Sequence, residues 1–208
     1  MTTLLLTGFG PFPGAPFNPT GPLVKRLART RRPALADVTR VAHVFATSYA
    51  AVDRELPKLI ARHQPDAILM FGLATRAKRL RVEISARNAL ALLPDAGGHA
   101  APRVKIAPGG PSARALPAPA QCLLTALHEA RVPAELSRDA GRYLCNYLAW
   151  RAAEAAAKPH GPSLATFIHV PQIRRGPRRR AGNPQLSLDD LARAGTRLMV
   201  ALAAAARR

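Results

Sequence analysis

The sequence contains few cysteines and no long hydrophobic run. Two cysteines, Cys122 and Cys145, in 208 residues cannot form a disulfide framework, so a reducing compartment is expected. The longest apolar candidate, residues 68–73, is far shorter than the roughly 18 residues that a membrane-spanning helix needs. The first residues show neither a basic region nor a signal-peptide cleavage pattern. These absences predict a cytoplasmic protein without a membrane segment.

Lysine and aromatic residues are also scarce. The formal net charge is +19, yet only five of the 31 basic residues are lysines, and aromatic residues make up 5% of the chain. The arginines are spread from end to end instead of clustering with aromatic side chains, as nucleic-acid sites do. We interpret the charge as compositional drift toward arginine, alanine and proline. One dense run, from Arg174 to Arg180, keeps open the alternative that the chain binds RNA or another polyanion.

Metal and nucleotide signatures are missing as well. The six histidines form no HxH or HExxH pattern, so neither a metal site nor another cofactor is predicted. The loop at residues 8–14 has the wrong spacing for a dinucleotide loop, and its prolines, Pro11 and Pro13, lack the N–H donors that hold a pyrophosphate. A rigid loop that presents Phe9 and Phe12 as walls of an apolar pocket is the better interpretation.

Strand-like and helix-like segments alternate along the chain. A continuous apolar run at 67–71 is typical of a strand buried on both faces of a sheet, and residues 164–170 are predicted to form another buried strand. Residues 82–93 are predicted to be mostly extended. Helical spacing occurs at 52–63 and again at 187–208, where a serine N-cap and two aspartates open the predicted helix. This alternation predicts a single α/β domain over residues 1–208, with three layers (α/β/α) and a mostly parallel, twisted sheet.

The carboxyl ends of the predicted strands are where such sheets carry their chemistry. Gly8, Gly72 and His169 mark three of these ends. Residues 94–120 hold much of the proline and glycine and are predicted to form a long loop that can cover a site. We therefore expect the functional side chains to gather at this edge of the sheet.

One cysteine, one histidine and one glutamate stand out in these surroundings. Cys145 opens a predicted helix at 144–158, where the N-terminal amides stabilise a thiolate and so favour a nucleophile. Cys122, in contrast, lies among leucines and is interpreted as a core residue. His169 ends a buried strand, and Glu83 is an isolated acid in a strand-like segment, where a buried carboxylate needs a partner. Together the three supply a nucleophile, a base and an orienting acid.

Several sequence blocks carry a resemblance to a known family. They are residues 7–14 with 18–19, 63–66 with Gly72, 109–111, 140–148 and 167–171. In these blocks, along essentially its full length, the chain resembles the pyrrolidone-carboxylate peptidases (pyroglutamyl peptidase I). These cysteine peptidases remove an N-terminal pyroglutamyl residue. The blocks around Cys145 and His169 are the most specific, because they occur in the family's order and spacing.

The resemblance implies a catalytic triad of Glu83, Cys145 and His169 in a cysteine exopeptidase. The implied substrate is a peptide whose N-terminus is blocked by a pyroglutamyl residue, and the implied assembly is a homo-oligomer, often a tetramer. The resemblance also implies a substrate pocket in which two rings sandwich the lactam and three further side chains lie at its edge or close it. These pocket residues are Phe9, Phe12, Thr47, Tyr143 and Leu144.

The chain departs from the family pattern at three places. Leu73 stands where the family usually has glutamine, and residues 89–95 are one residue shorter and lack the family's arginine. After His169 the Arg-rich run replaces the family's turn, a change that can alter contacts between subunits. These departures leave open a member that uses the same triad on another amide or acyl substrate. A protein of a different class, which binds RNA or another polyanion through Arg174 to Arg180, also remains an alternative.

Overall fold

The computed structural model describes residues 1–101, 103–174 and 185–208. Its strands are β1 (Thr2–Phe9), β2 (Val38–Phe45), β3 (Ala67–Leu73), β4 (Leu80–Glu83), β5 (Ser85–Arg87), β6 (Ala113–Ala115), β7 (Ala134–Ser137) and β8 (Leu164–Val170). Its α-helices are α1 (Thr20–Ala28), α2 (Tyr49–His63), α3 (Ala120–Glu129), α4 (Leu144–Ala156) and α5 (Leu188–Ala206). Across the described ranges, none of these helices combines the length and apolar character that crossing a bilayer requires. Of the Arg-rich run, only Arg174 lies within these ranges.

A mostly parallel sheet forms the centre of the fold. Within the described residues it has six strands in the order β2-β1-β3-β8-β4-β7. β1 runs parallel to β2 and β3, β3 runs parallel to β8, and β7 runs parallel to β4. The single reversal is the antiparallel pairing of β4 with β8. The predicted α/β class with a mostly parallel sheet is therefore confirmed.

The side chains of the central strands alternate between two apolar layers. In β1, Leu4 and Leu6 pack with α1, α3 and α5, whereas Leu5 packs on the other face with α2 and α4. β3 is buried at every position, which confirms its prediction as a strand covered on both faces. Each fully buried leucine in these layers contributes about 1.5–3 kcal/mol of transfer free energy. Helices on both faces give the predicted three layers.

Helix α5 begins as its sequence predicts. The Ser187 hydroxyl accepts a hydrogen bond from the Asp190 amide at 3.1 Å, and the Asp190 carboxylate accepts one from the Ser187 amide at 2.9 Å. Burial raises the pKa of Asp190, but its hydrogen bonds with Ser187 and Arg193 outweigh burial and lower the pKa to about 2. Further along, Gly195 packs so tightly that a Cβ there would lie 2.6 Å from a Leu27 methyl carbon.

The prediction that Cys122 is a core residue is wrong. The sequence predicts a helix over residues 122–130, but helix α3 begins at Ala120, so Cys122 lies in its first turn with an exposed side chain. The buried residues of this helix are Leu123, Ala126 and Leu127. Cys122 lies at the edge of their face, about 100° from Leu123 around the helix axis, and its side chain is exposed.

The segment before the long loop is also less regular than its sequence predicts. Instead of one extended stretch over 82–93, β4 ends at Glu83 and is followed only by the three-residue strand β5. The predicted loop at 94–120 is confirmed as mainly irregular, but it contains β6, which pairs with β5 in a small antiparallel sheet. This pairing attaches the long loop to the segment that follows Glu83.

Candidate active site

Three neighbouring strands bring Gly72, Glu83 and His169 to one face of the sheet. Gly72 is the register partner of His169 between β3 and β8, and Glu83 is the register partner of Phe167 between β4 and β8. Phe167 packs in the layer formed with α2 and α4. Because residues two apart on a strand point to the same face, His169 points toward the same two helices. Glu83 and His169 are thus diagonal neighbours across the antiparallel pair.

The Glu83 carboxylate holds the His169 ring. Its Oε1 lies 2.8 Å from Nδ1 of His169, and the two residues are 1% and 6% exposed. A carboxylate at this distance selects the imidazole form that carries a proton on Nδ1. Nε2 is then the nitrogen left to serve a reacting group. The predicted partner of the buried Glu83 is therefore found, 86 residues further along the chain.

Cys145 lies beside the His169–Glu83 pair and affects the pKa of His169. Burial lowers the pKa of His169, but the negative charges of Cys145 and Glu83 and their hydrogen bonds to the ring outweigh burial and raise the pKa to about 9. The imidazole is consequently protonated at neutral pH and faces the sulfur. The structure brings the three predicted catalytic residues, Glu83, Cys145 and His169, together in one cluster.

Gly72 provides the space in which the sulfur lies. A Cβ at position 72 would lie 2.7 Å from Sγ of Cys145 and 2.6 Å from the Phe167 ring. Both distances are far below van der Waals contact, so any larger residue here would displace the cysteine or the ring. The sequence identified Gly72 as the end of a strand, but β3 continues to Leu73. Close approach of the Cys145 sulfur and the Phe167 ring is the physical reason for glycine at this position.

The N-terminus of α4 lies directly beside the sulfur. Tyr143 precedes the helix in extended backbone, and the first helical hydrogen bond runs from the Tyr147 amide to the Tyr143 carbonyl at 3.0 Å. The N–H groups of residues 144–146 therefore precede the intrahelical hydrogen-bond ladder. Such free amides at a helix N-terminus stabilise negative charge. They can bind a thiolate or the oxyanion of a tetrahedral intermediate.

Asn146 fixes the start of α4 against the segment after β4. Its Oδ1 accepts a hydrogen bond from the Arg87 amide at 2.7 Å, and its Nδ2 donates to the carbonyls of Arg87 at 2.8 Å and Ala89 at 3.0 Å. Asn146 is fully buried, and its amide satisfies three backbone groups. Sequence reasoning did not assign this residue. The available signal was a polar amide inside an apolar helix, which requires partners when it is buried.

Asn88 ties the long loop to the same segment. Its side chain exchanges two hydrogen bonds with the backbone of Ala107, at 2.7 and 2.8 Å, and its own amide donates to the Ser112 carbonyl at 2.8 Å. These bonds hold the middle of the predicted loop beside the strand that follows Glu83. The loop is therefore fixed next to the catalytic cluster at several points.

Asp95 organises the part of the loop that lies over α2. Its carboxylate accepts hydrogen bonds from the amides of Tyr49, Gly97 and His99 at 2.9–3.2 Å. Burial raises the pKa of Asp95, but the donors, His99 foremost, outweigh burial and lower it. The carboxylate thus stays charged at the start of α2, where it is stabilised by the helix N-terminus. This residue was also missed from sequence, because its donors lie on two separate segments.

Two of the predicted pocket residues meet at this part of the loop. The Tyr143 hydroxyl donates to the Pro94 carbonyl at 2.8 Å, and the Thr47 carbonyl accepts from the Ala96 amide at 2.9 Å. The Thr47 hydroxyl also donates to the Gly10 carbonyl at 3.2 Å. Tyr143 and Thr47 are thereby linked through residues 94–96 to the loop that follows β1.

The remaining predicted pocket residues lie on β1, on α4 and on the loop that follows β1. Phe9 and Leu144 are both buried in the layer formed with α2 and α4, and the Phe9 ring lies 6.1 Å from the Phe45 ring. Phe12 is half-buried on a tight turn that it closes with Ala15 through two backbone hydrogen bonds. Phe9 is therefore mainly a core residue, while Phe12 belongs to the surface loop.

Among the described residues, no group of three or more histidine, cysteine, aspartate or glutamate side chains is arranged so that it could hold a metal ion. A cysteine at a helix N-terminus, beside a histidine that is held by a buried glutamate, provides a nucleophile, an acid–base group and an orienting acid. On an α/β sheet, such a site can carry out the acyl-transfer chemistry of a cysteine-dependent hydrolase.

Comparison with known proteins gives the family. The model of the pyroglutamyl peptidase family matches residues 2–208. The pyrrolidone-carboxylate peptidase of Pyrococcus furiosus is 33% identical over 171 residues, which cover 82% of this chain and 81% of that protein. That of Bacillus amyloliquefaciens is 33% identical over 193 residues, covering 92% and 87%. The chain belongs to the pyroglutamyl peptidase family, as its sequence blocks predicted.

Solved structures agree over nearly the whole chain. The crystal structure of Bacillus amyloliquefaciens pyroglutamyl peptidase I superposes with a TM-score of 0.85 at 29% identity and covers 98% of both chains. The pyrrolidone carboxyl peptidase from Thermococcus litoralis superposes with a TM-score of 0.86 at 27% identity, covering 97% of this chain and 93% of that one. The chain therefore shares its overall fold with these relatives over nearly its whole length.

Proposed function

We propose that this chain hydrolyses the N-terminal pyroglutamyl residue from peptides, with Cys145, His169 and Glu83 as its catalytic triad. The observation that carries the proposal is the 2.8 Å contact between His169 and Glu83, buried where the N-terminus of α4 presents Cys145. Membership of the pyroglutamyl peptidase family supports the choice of substrate. The catalytic roles of the triad residues and the substrate-binding roles of the pocket residues are both part of this proposal.

In the first half of the reaction, the Cys145 thiolate attacks the carbonyl carbon of the pyroglutamyl residue. The carbonyl oxygen becomes an oxyanion, which the free N–H groups at the start of α4 stabilise. The His169 imidazolium then donates its proton to the departing amine. The C–N bond breaks, the shortened peptide leaves, and a thioester joins the pyroglutamyl group to Cys145.

In the second half, the neutral His169 accepts a proton from a water molecule, whose oxygen attacks the thioester. Collapse of this second tetrahedral intermediate breaks the C–S bond, releases pyroglutamate and restores the Cys145 thiolate beside the His169 imidazolium. Glu83 keeps the proton on Nδ1 of His169 throughout and stabilises the charged ring. Its role is to orient and stabilise, as the acid does in a Ser-His-Asp triad.

We propose that Phe9, Phe12, Thr47, Tyr143 and Leu144 surround the lactam ring of the bound substrate. A pyroglutamyl residue is flat and uncharged, so apolar side chains can cover it at little desolvation cost. An ordinary N-terminus carries an ammonium group, whose transfer into the same surroundings is unfavourable without a partner. This difference in desolvation is the proposed basis of selectivity for the blocked terminus.

The test is release of fluorophore from pyroglutamyl-aminomethylcoumarin, with and without prior treatment with iodoacetamide. The proposal predicts turnover that alkylation abolishes. In the matched variant Cys122→Ser, iodoacetamide should still abolish turnover. This result would exclude alkylation of the exposed Cys122 as the cause of the loss. Absence of turnover, together with hydrolysis of a different N-acyl aminoacyl fluorogenic substrate, would move the proposed function to that other acyl group.

The remaining expectations from sequence belong to the same proposal. We propose that residues 1–208 form one peptidase-like domain, since the family match spans nearly all of them. We also propose a cytoplasmic location and a homo-oligomer, a tetramer by family resemblance. Size-exclusion chromatography with light scattering would measure the assembly directly, and a monomer would contradict that part of the proposal.

A further inference from the structure

Exposed aliphatic side chains are concentrated in one part of the surface. Within the described residues, the large hydrophobic side chains that are exposed are Met1, Leu92, Leu93, Val104 and Leu136. Three of these five lie between positions 92 and 104. Single exposed leucines are normal on protein surfaces, but an apolar group beside a site marks a binding surface. We call Leu92, Leu93 and Val104 the aliphatic rim.

The aliphatic rim is fastened to the residues that lead into the nucleophile. The Ala91 amide donates to the Arg142 carbonyl at 2.6 Å, and the Pro94 carbonyl accepts from the Tyr143 hydroxyl at 2.8 Å. Leu92 and Leu93, which lie between these two bonds, therefore run alongside the residues that precede Cys145.

Val104 joins the rim from the long loop. The Leu90 amide donates to the Val104 carbonyl at 2.7 Å, which brings Val104 next to the segment that carries Leu92. Exposure of the three side chains is 64%, 59% and 58% for Leu92, Leu93 and Val104. The rim thus combines a fixed backbone with accessible apolar side chains.

The occupant follows from the proposed function, on which this inference rests. An exopeptidase of this kind encloses one residue of its substrate, and the rest of the peptide extends from the scissile bond into solvent. Chain positions that flank the nucleophile and face solvent are therefore the ones that this departing segment meets. We propose that the aliphatic rim binds the side chain of the residue that follows the pyroglutamyl residue. The enzyme would then prefer substrates in which that side chain is apolar.

The charges around the rim sharpen this selectivity. Val104 lies between Arg103 and Lys105, and Arg142 lies three residues before Cys145. All three of these basic residues are exposed. A lysine or arginine after the pyroglutamyl residue would meet like charge in addition to losing the apolar contact. The expected order of kcat/KM is therefore leucine first, serine second and lysine last.

The test compares pyroglutamyl-leucyl-glycinamide, pyroglutamyl-seryl-glycinamide and pyroglutamyl-lysyl-glycinamide, with the released dipeptide amide quantified by chromatography. For the unmodified protein we expect kcat/KM for the leucyl substrate to exceed that for the seryl substrate about five- to tenfold. In the double variant Leu92→Ser/Val104→Ser, we expect this ratio to fall to about one. Leu93 is left unchanged because its neighbour Pro94 holds the Tyr143 hydroxyl.

Leu136→Ser is the matched control. It also replaces an exposed leucine, but Leu136 is the register partner of Val82, which packs in the layer with α1, α3 and α5 on the opposite face of the sheet. The control is expected to keep the substrate preference. Equal kcat/KM values for all three peptides in the unmodified protein, or a preference that survives in the double variant, would overturn the inference. Failure of every pyroglutamyl substrate, the coumarin amide included, would overturn the proposed function first.

Discussion

The two cysteines of this protein occupy nearly equivalent positions on different helices. Cys145 is the second residue of α4 and Cys122 the third residue of α3, and neither helix has a side-chain cap from its N-cap residue within the described chain. Cys122 is exposed in a shallow cleft that Glu129 and Arg197 also line. Cys145, by contrast, lies against Gly72 and the His169–Glu83 pair.

The two cysteines distinguish two possible causes of thiol reactivity, the helix N-terminus and the side chains beside the sulfur. A helix N-terminus favours negative charge on either sulfur by the same physics. Only Cys145 also has a buried imidazolium beside it and a glycine that gives it room. We therefore attribute the proposed reactivity of Cys145 to the strand ends, which carry Gly72, Glu83 and His169, more than to the helix that carries the cysteine.

Replacement of each sulfur gives the largest expected effect. Cys145→Ser should lower kcat/KM for pyroglutamyl-aminomethylcoumarin by at least about a thousandfold, because the hydroxyl does not replace a thiolate as nucleophile. Cys122→Ser should leave kcat/KM within about twofold, since an exposed position far from the site contributes little. Steady-state kinetics measures both, with thermal unfolding as a check on the fold. A Cys145→Ser protein that retains full activity would contradict the mechanism.

Removal of the Glu83 charge should have the next largest effect. Glu83→Gln keeps the shape of the side chain but no longer selects the proton on Nδ1 of His169, so kcat should fall about a hundredfold to ten-thousandfold. The comparison variant is Glu135→Gln, an acid on β7 that forms ion pairs with Arg79 and Arg81, both partly exposed to solvent. It should keep kcat. An equal loss of kcat in the two variants would mean that the effect comes from removal of a negative charge in general and not from the contact between Glu83 and His169.

A methyl group at position 72 should affect the site and the fold together. In Gly72→Ala the new Cβ would lie 2.7 Å from Sγ of Cys145, so kcat/KM should fall about tenfold to a hundredfold through misplacement of the nucleophile. The free energy of unfolding should fall by about 1–3 kcal/mol through overpacking.

Gly195→Ala is the control for that experiment, because its Cβ would crowd Leu27 just as closely on the opposite face of the sheet. It should lower the free energy of unfolding without changing kcat of the folded protein. Urea unfolding and kinetics on the same preparations separate the two effects. Loss of kcat in Gly195→Ala to the extent seen in Gly72→Ala would attribute both results to stability alone.

The pH dependence should show the smallest of these effects. Burial lowers the pKa of His169, but Cys145 and Glu83 raise it from 6.5 to about 9, so the proton that the leaving amine needs is lost above that value. The kcat/KM should therefore decline above about pH 9, and Glu83→Gln should move this decline to lower pH. A decline whose position is identical in both proteins would contradict the assignment.

The same shift contributes to stability with a definite sign. Since the folded pKa lies above the unfolded value, the contribution is fully present below pH 6.5 and is lost as the pH rises through about 9. Urea unfolding at pH 6 and above pH 9 measures it. Glu83→Gln should reduce the difference between the two conditions.

Much of the fold could be predicted because its signals are local. The apolar residues of β3 and β8 predict a strand, and the capping serine of α5 predicts a helix start, from the residues of that segment alone. The prediction that Cys122 is buried was wrong because burial depends on which face of α3 meets the sheet. The two leucines that follow Cys122 in the sequence do not determine that face. Asn146 and Asp95 could not be assigned, since their partners are backbone groups many residues away that only the folded chain brings near.

The central claim is that His169 and Glu83, rather than the helix N-terminus, make Cys145 the nucleophile. The most direct measurement is the rate of alkylation of each cysteine by iodoacetamide at pH 6, followed by peptide mass spectrometry, in the unmodified protein and in His169→Asn. We predict that Cys145 reacts at least about tenfold faster than Cys122 in the unmodified protein and that His169→Asn removes this excess. An excess that survives the loss of His169 would contradict the claim and assign the activation to the helix alone.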